Sequence, residues 1–130
     1  MMSPADVKSL RAAGMEIGGH TVTHPILATL DQESAWREVA EGKEAMEGIV
    51  GEKLTLFAYP NGVPRQDYRA EHIDMVKRAG FSYAVSTARG AALAESDRFQ
   101  LPRFSSWGAT PEKFIYQLAR GQMRRQTEFA

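Results

Sequence analysis

The stretch Leu54-Thr55-Leu56-Phe57-Ala58-Tyr59, cut short by Pro60-Asn61-Gly62, decides the frame in which the rest of the chain is read. It is too short for a helix and too continuously apolar for a strand with one wet face, so it predicts a buried strand opening into a turn. Buried strands of this kind belong to parallel sheets, with helices covering both faces. The flanking sequence should therefore alternate helix and strand.

It does so in both directions. Upstream, Asp31 to Val50 carries Trp36, Val39, Ala40, Met46, Ile49 and Val50 at helical spacing, with acids early and Gly51 beyond the end. In this register Trp36 is a packing residue. Downstream, Asp67 to Ala79 repeats the pattern, with Ile73, Val76 and Ala79 inward and Gly80 as the stop. His72 falls beside Glu71 and Asp74, opposite Ile73 and Val76, and is expected to be exposed and uninvolved. Phe81 to Ser86 reads as another short strand, and Arg98 to Phe104 as a weaker one shortened by Pro102. Thr110-Pro111-Glu112-Lys113 reads as a helix start, and Phe114, Ile115, Leu118 and Met123 give that helix an apolar side.

At the other end, Ser3 can cap a helix, Pro4 suits its first position, and Asp6 stands where a capping-box acid would. The helix runs from Ser3 to Ala13 with Val7 and Leu10 on one face, and Gly14 stops it. A chain that opens on a helix is expected to have a strand before it. Met15-Glu16-Ile17-Gly18-Gly19 is a short strand leading into the loop His20-Thr21-Val22-Thr23-His24-Pro25. The prediction is an α/β chain of mostly parallel strands alternating with helices, whose ligand sites lie past the carboxyl ends of the strands. His20, His24, Pro60-Asn61-Gly62 and Arg103 all fall there.

Composition narrows the function. At 130 residues and 43% hydrophobic content the chain can bury a core, and one domain over 1–130 is the expectation. Lys+Arg and Asp+Glu are 16 each, so no net field attracts nucleic acid or an anionic membrane, and Arg120, Arg124 and Arg125 read as a solvated helix end. Cysteine is absent, which leaves His, carboxylate or water to hold any metal. No apolar run is long enough to cross a bilayer, and Met1-Met2-Ser3-Pro4-Ala5-Asp6 lacks the order of a signal peptide.

His20 and His24 are two of three histidines, and Pro25 disfavours helical geometry at His24. From the residues alone two readings stand. The rings share a divalent ion, with Thr21 and Thr23 steadying the loop, or the histidines are ordinary polar partners in a turn.

The loop His20-Thr21-Val22-Thr23-His24-Pro25, approached by Gly18-Gly19, resembles the second motif of the polysaccharide deacetylase (NodB-homology) family. Phe57-Ala58-Tyr59-Pro60-Asn61-Gly62 falls where that family's third motif should. The resemblance implies a partial, irregular (β/α) barrel and a hydrolase that removes acetyl from N-acetylated sugars of a polysaccharide. It also implies that His20 and His24, with an upstream aspartate, bind a divalent metal, usually zinc, while a neighbouring aspartate is the general base. The backbone amide of Asn61 would stabilise the oxyanion, unless Pro60-Asn61-Gly62 is only a turn. Tyr59, Pro60 and Trp107 are expected on the substrate side, although Trp107 also suits a core.

Three features depart from the family pattern. The two aspartates belong on a strand before Ser3, so this chain is expected to be an incomplete part of the catalytic domain with a weak or absent metal site. Ala58 and Asn61 stand where many members have arginine and tyrosine. Leu101-Pro102-Arg103 falls where the family presents a histidine as general acid, and arginine does not donate protons near neutral pH. Arg103 is then a stabiliser of negative charge or a solvated surface residue. The alternative to an enzyme is a catalytically silent module that binds sugar or protein, with homo-oligomers covering exposed sheet edges.

Overall fold

Local caps set where the helices begin. The computed structural model describes residues 2–104 and 110–122, so the expectations placed on Trp107, Met123, Arg124 and Arg125 lie outside the described residues. The first helix, α1 (Pro4–Ala12), starts on the expected reciprocal cap: the Ser3 hydroxyl accepts from the Asp6 amide, and the Asp6 carboxylate accepts from the Ser3 amide. The long helix α2 (Gln32–Val50) is capped by Asp31, which accepts from the Ser34 amide at 2.9 Å. An Arg11–Glu52 ion pair ties α1 to the residues that follow α2.

Strand β1 (Leu56–Ala58) pairs in parallel with β2 (Tyr83–Val85), Phe57 standing opposite Ala84. Gly19 adds a parallel bridge to Phe57 on one side, and Leu101 adds one to Val85 on the other. The strands expected at 15–19 and 98–104 are thus reduced to single rungs. Gly19 lies so close to its neighbours that a Cβ there would sit 2.7 Å from Phe81 Cζ, and Pro102 withholds an amide from the ladder. The order Gly19, β1, β2, Leu101 is the alternating parallel arrangement that the sequence pattern predicts.

The core gathers between this sheet and the helices. Leu27, Val39, Phe57, Val76 and Ala84 are all but fully buried, each large apolar chain contributing roughly 1.5–3 kcal/mol by leaving water. Trp36 packs against this cluster partly buried, with the Arg78 guanidinium 3.8 Å from its ring centre. Leu10 departs from expectation: it is exposed, and Val7 is the residue of α1 that reaches the interior. Phe114 and Ile115 of α4 (Pro111–Gln122) are also exposed and Leu118 is half-buried, so the described part of the expected apolar side of that helix is largely in solvent.

The third helix, α3 (Ala70–Arg78), starts later than the Asp67 expected from periodicity. Asp67 is instead drawn into the preceding turn, where its carboxylate accepts the Val63 amide at 2.9 Å. The late start also overturns the expectation for His72, which is 2% exposed. It falls at the third position of α3, and its Nδ1 accepts the amide of the N-cap residue Arg69 at 3.0 Å, the task that a glutamate or glutamine performs there in a capping box. Burial lowers its pKa. Among the described residues no helix is long and apolar enough to cross a membrane.

Candidate active site

The histidine loop leaves the Gly19 rung at the carboxyl end of the parallel segments. His20 and His24 are both exposed, and their rings meet edge to face with centroids 4.7 Å apart. His20 Nδ1 lies 2.7 Å from the Ala58 carbonyl oxygen. A carbonyl only accepts, so Nδ1 carries a proton, and in the neutral ring that leaves the lone pair on Nε2. That is the tautomer, fixed by a hydrogen bond to a carbonyl, that metal-ligating histidines favour.

The loop holds this form against local preference. Thr21 and His24 both have positive φ, 64° and 61°, a region that costs a non-glycine residue roughly 1–2 kcal/mol. Thr21 offsets part of this by accepting the His24 amide at 3.1 Å on its hydroxyl. Two residues of α2 that the sequence reading passed over also act on the loop. Glu38 accepts the amides of Val22 and Thr23 and the Thr23 hydroxyl. Partial burial works against the Glu38 charge, but these hydrogen bonds outweigh it and hold the carboxyl below its ordinary pKa. Gly42, one turn on, lets the loop backbone approach, since a Cβ there would lie 2.8 Å from the Thr21 carbonyl carbon. The available signal was a glycine interrupting an otherwise amphipathic helix.

The turn after β1 reaches the same edge. Asn61 has φ 54° and Gly62 φ 77°, and Gly62 lies where a side chain would meet the Tyr59 carbonyl oxygen at 2.9 Å. Asn61 is exposed, and its amide has no protein acceptor among the described residues. The Gly62 carbonyl accepts from Thr87, which ties the turn to the end of β2. Arg103 is exposed beyond the Leu101 rung, its Nε donating to the Ser86 carbonyl at 2.7 Å and its amide to Ala88 at 2.9 Å.

Tyr59 and Pro60 are placed differently from the expectation that they meet substrate. Both are fully buried. Tyr59 stacks on Tyr68 with ring centroids 3.8 Å apart, and its hydroxyl donates to the Phe99 carbonyl at 3.1 Å. Burial raises the pKa of both hydroxyls, that of Tyr68 to about 12. Neither Tyr59 nor Pro60 offers a free face to a sugar; they hold the turn from beneath.

A divalent ion fits the His20–His24 pair in donor chemistry, through two imidazoles of which one already has its tautomer fixed. Among the described residues no group of three His, Cys, Asp or Glu side chains converges, so an ion held by this pair would need further ligands from elsewhere.

The family model described as polysaccharide deacetylase matches residues 1–84, and the chain belongs to that family. It is 40% identical over 70 residues to a gellan lyase of Bacillus sp, a match spanning 53% of this chain and 3% of that protein. It is 24% identical over 102 residues to YxkH of Bacillus subtilis (strain 168), which carries the same family name, covering 78% of this chain and 35% of that one. The fold matches Streptococcus pyogenes deacetylase PplD, solved in complex with acetate, at a TM-score of 0.79 and 21% identity over 95% of this chain and 51% of that one. The architecture is thus that of the irregular (β/α) barrel in these proteins, in part, and the chain spans about half the length of that structure or less of the curated relatives.

Proposed function

We propose that this chain supplies part of the catalytic domain of a metal-dependent hydrolase that removes acetyl groups from N-acetylated sugars of a polysaccharide. The observation that carries the reading is the pairing of His20 and His24 with the His20 Nδ1 contact to Ala58. In this reading both imidazoles hold a divalent ion, zinc being the one expected. Such an ion, when bound, lowers the pKa of water and polarises the acetyl carbonyl.

The rest falls to the chain's own groups. The free amide of Asn61 donates to the carbonyl oxygen as negative charge grows on it, a role that depends on the turn and not on the asparagine side chain. Arg103 has Nε anchored on Ser86, and its outer N–H groups steady that charge or orient a carboxylate. The general base is an aspartate that this chain does not supply at the family's position.

The test is acetate release from N-acetylglucosamine oligomers with added zinc. The chain alone should give no more than a trace, because loss of a general base costs a factor of about a hundred to ten thousand. Joining a strand that carries two aspartates ahead of Ser3 should restore the rate, and His24→Ala should remove it again. If the lengthened chain releases no acetate while folded and zinc-loaded, the reading fails and a silent binding module takes its place.

A further inference from the structure

Glu38 touches neither histidine, yet it grips the loop between them. Its Oε2 accepts the Val22 and Thr23 amides at 2.8 and 2.9 Å, and its Oε1 accepts the Thr23 hydroxyl at 2.7 Å. Two successive amides aimed at one point form a cradle for an anion, and here a carboxylate of the same chain fills it. Bonds to an ionised acceptor are stronger than neutral ones, so this contact can hold a strained backbone. The strain is adjacent, since Thr21 and His24 adopt positive φ on either side of the gripped amides. Gly42, four residues beyond Glu38 on α2, provides the clearance that lets the loop reach the carboxylate.

We infer that Glu38 is the positioning residue of the histidine pair: it fixes the loop in the form that sets both rings beside one divalent ion. This rests on the metal reading above and extends it to a side chain outside the loop. Without the carboxylate the two amides lose their acceptor, and nothing in that contact then opposes relaxation of Thr21 and His24 toward negative φ. The rings would still be present but no longer held as a pair.

Glu47 provides the control. It also lies on α2 and accepts a backbone amide, that of Leu54 at 2.8 Å, while pairing with Lys43, so its loss removes a comparable contact away from the loop. Zinc affinity by calorimetry, exchange rates of the Val22 and Thr23 amides in the metal-free chain, and melting temperature are measured for the parent, Glu38→Ala, Glu38→Gln, Glu47→Ala and His24→Ala. Glu38→Ala should bind zinc about 10- to 100-fold more weakly and lose protection at both amides. Glu38→Gln, which keeps one acceptor oxygen, should fall between it and the parent, and it carries the test if the alanine variant does not fold. Glu47→Ala should melt lower with its zinc affinity intact.

Zinc binding by Glu38→Ala equal to the parent's overturns the inference, as does an equal loss in Glu47→Ala. If the parent and His24→Ala take up zinc alike, the metal reading falls by itself. The amide exchange then decides the role of Glu38 separately, and unchanged rates in Glu38→Ala would refute it.

Discussion

His20 Nδ1 lies 2.7 Å from the carbonyl oxygen of Ala58, the last residue of β1. One hydrogen bond thus joins the histidine loop to the strand that carries the Pro60-Asn61-Gly62 turn. The ring that would face a metal and the amide that would face an oxyanion are referred to the same piece of backbone. A shift at the end of β1 moves both.

His20→Ala and His24→Ala should each abolish zinc binding, since two imidazoles without a third described ligand leave no redundancy. Calorimetry on the parent and both variants checks this. Binding by either variant at the parent's affinity would remove the loop from consideration as a metal site.

Gly42→Ala and Gly48→Ala should move stability in opposite directions although both lie inside α2. Alanine favours a helix over glycine by about 1 kcal/mol, and at Gly48 a Cβ meets nothing within 4 Å, so that variant should gain up to about this amount. At Gly42 the new Cβ would stand 2.8 Å from Thr21 backbone, which must shift. Urea unfolding of the two variants should show Gly48→Ala above the parent and Gly42→Ala below it.

Tyr59→Phe should destabilise the chain by roughly 1–3 kcal/mol, because it leaves the Phe99 carbonyl without the buried donor it has now. The ring stack on Tyr68 survives in this variant, so the loss isolates the hydroxyl. Chemical denaturation measures it, and an unchanged midpoint would mean that water replaces the donor.

Stability should fall as pH drops below about 6.5, the ordinary histidine value, through His72. Burial lowers the folded-state pKa of this ring, so the unfolded chain takes up the proton first and protonation favours unfolding. The contribution is complete above the unfolded value and declines as pH falls from there toward the folded one. His72→Gln, whose side-chain oxygen can still accept the Arg69 amide, should flatten this part of the profile of denaturation midpoint against pH.

The elements legible in the sequence were those with their own punctuation. Ser3 and Asp31 announce helix starts that the structure uses, and the apolar run before Pro60 holds β1. What periodicity could not show was contact between distant segments. Nothing near His72 reveals that α3 begins at Ala70 and turns its ring into a cap, because that depends on Asp67 being drawn toward Val63. The histidines and the Asn61 turn could be picked out as local motifs. Glu38 could not, since an acid in a helix looks solvated until the loop that folds over it is seen.

The parallel rungs differ in how much chain each must close. Val85 and Leu101 are near neighbours along the sequence, β1 and β2 are farther apart, and Gly19 and Phe57 are the farthest. Closing a longer loop costs more chain entropy, so formed from an open chain the Gly19 rung is the dearest of the three. The histidines hang from that rung. During folding the loop that carries them should dock beside Ala58 late, after the β1–β2 unit exists to receive it, and a zinc ion present from the start would meet a loop not yet held by that contact.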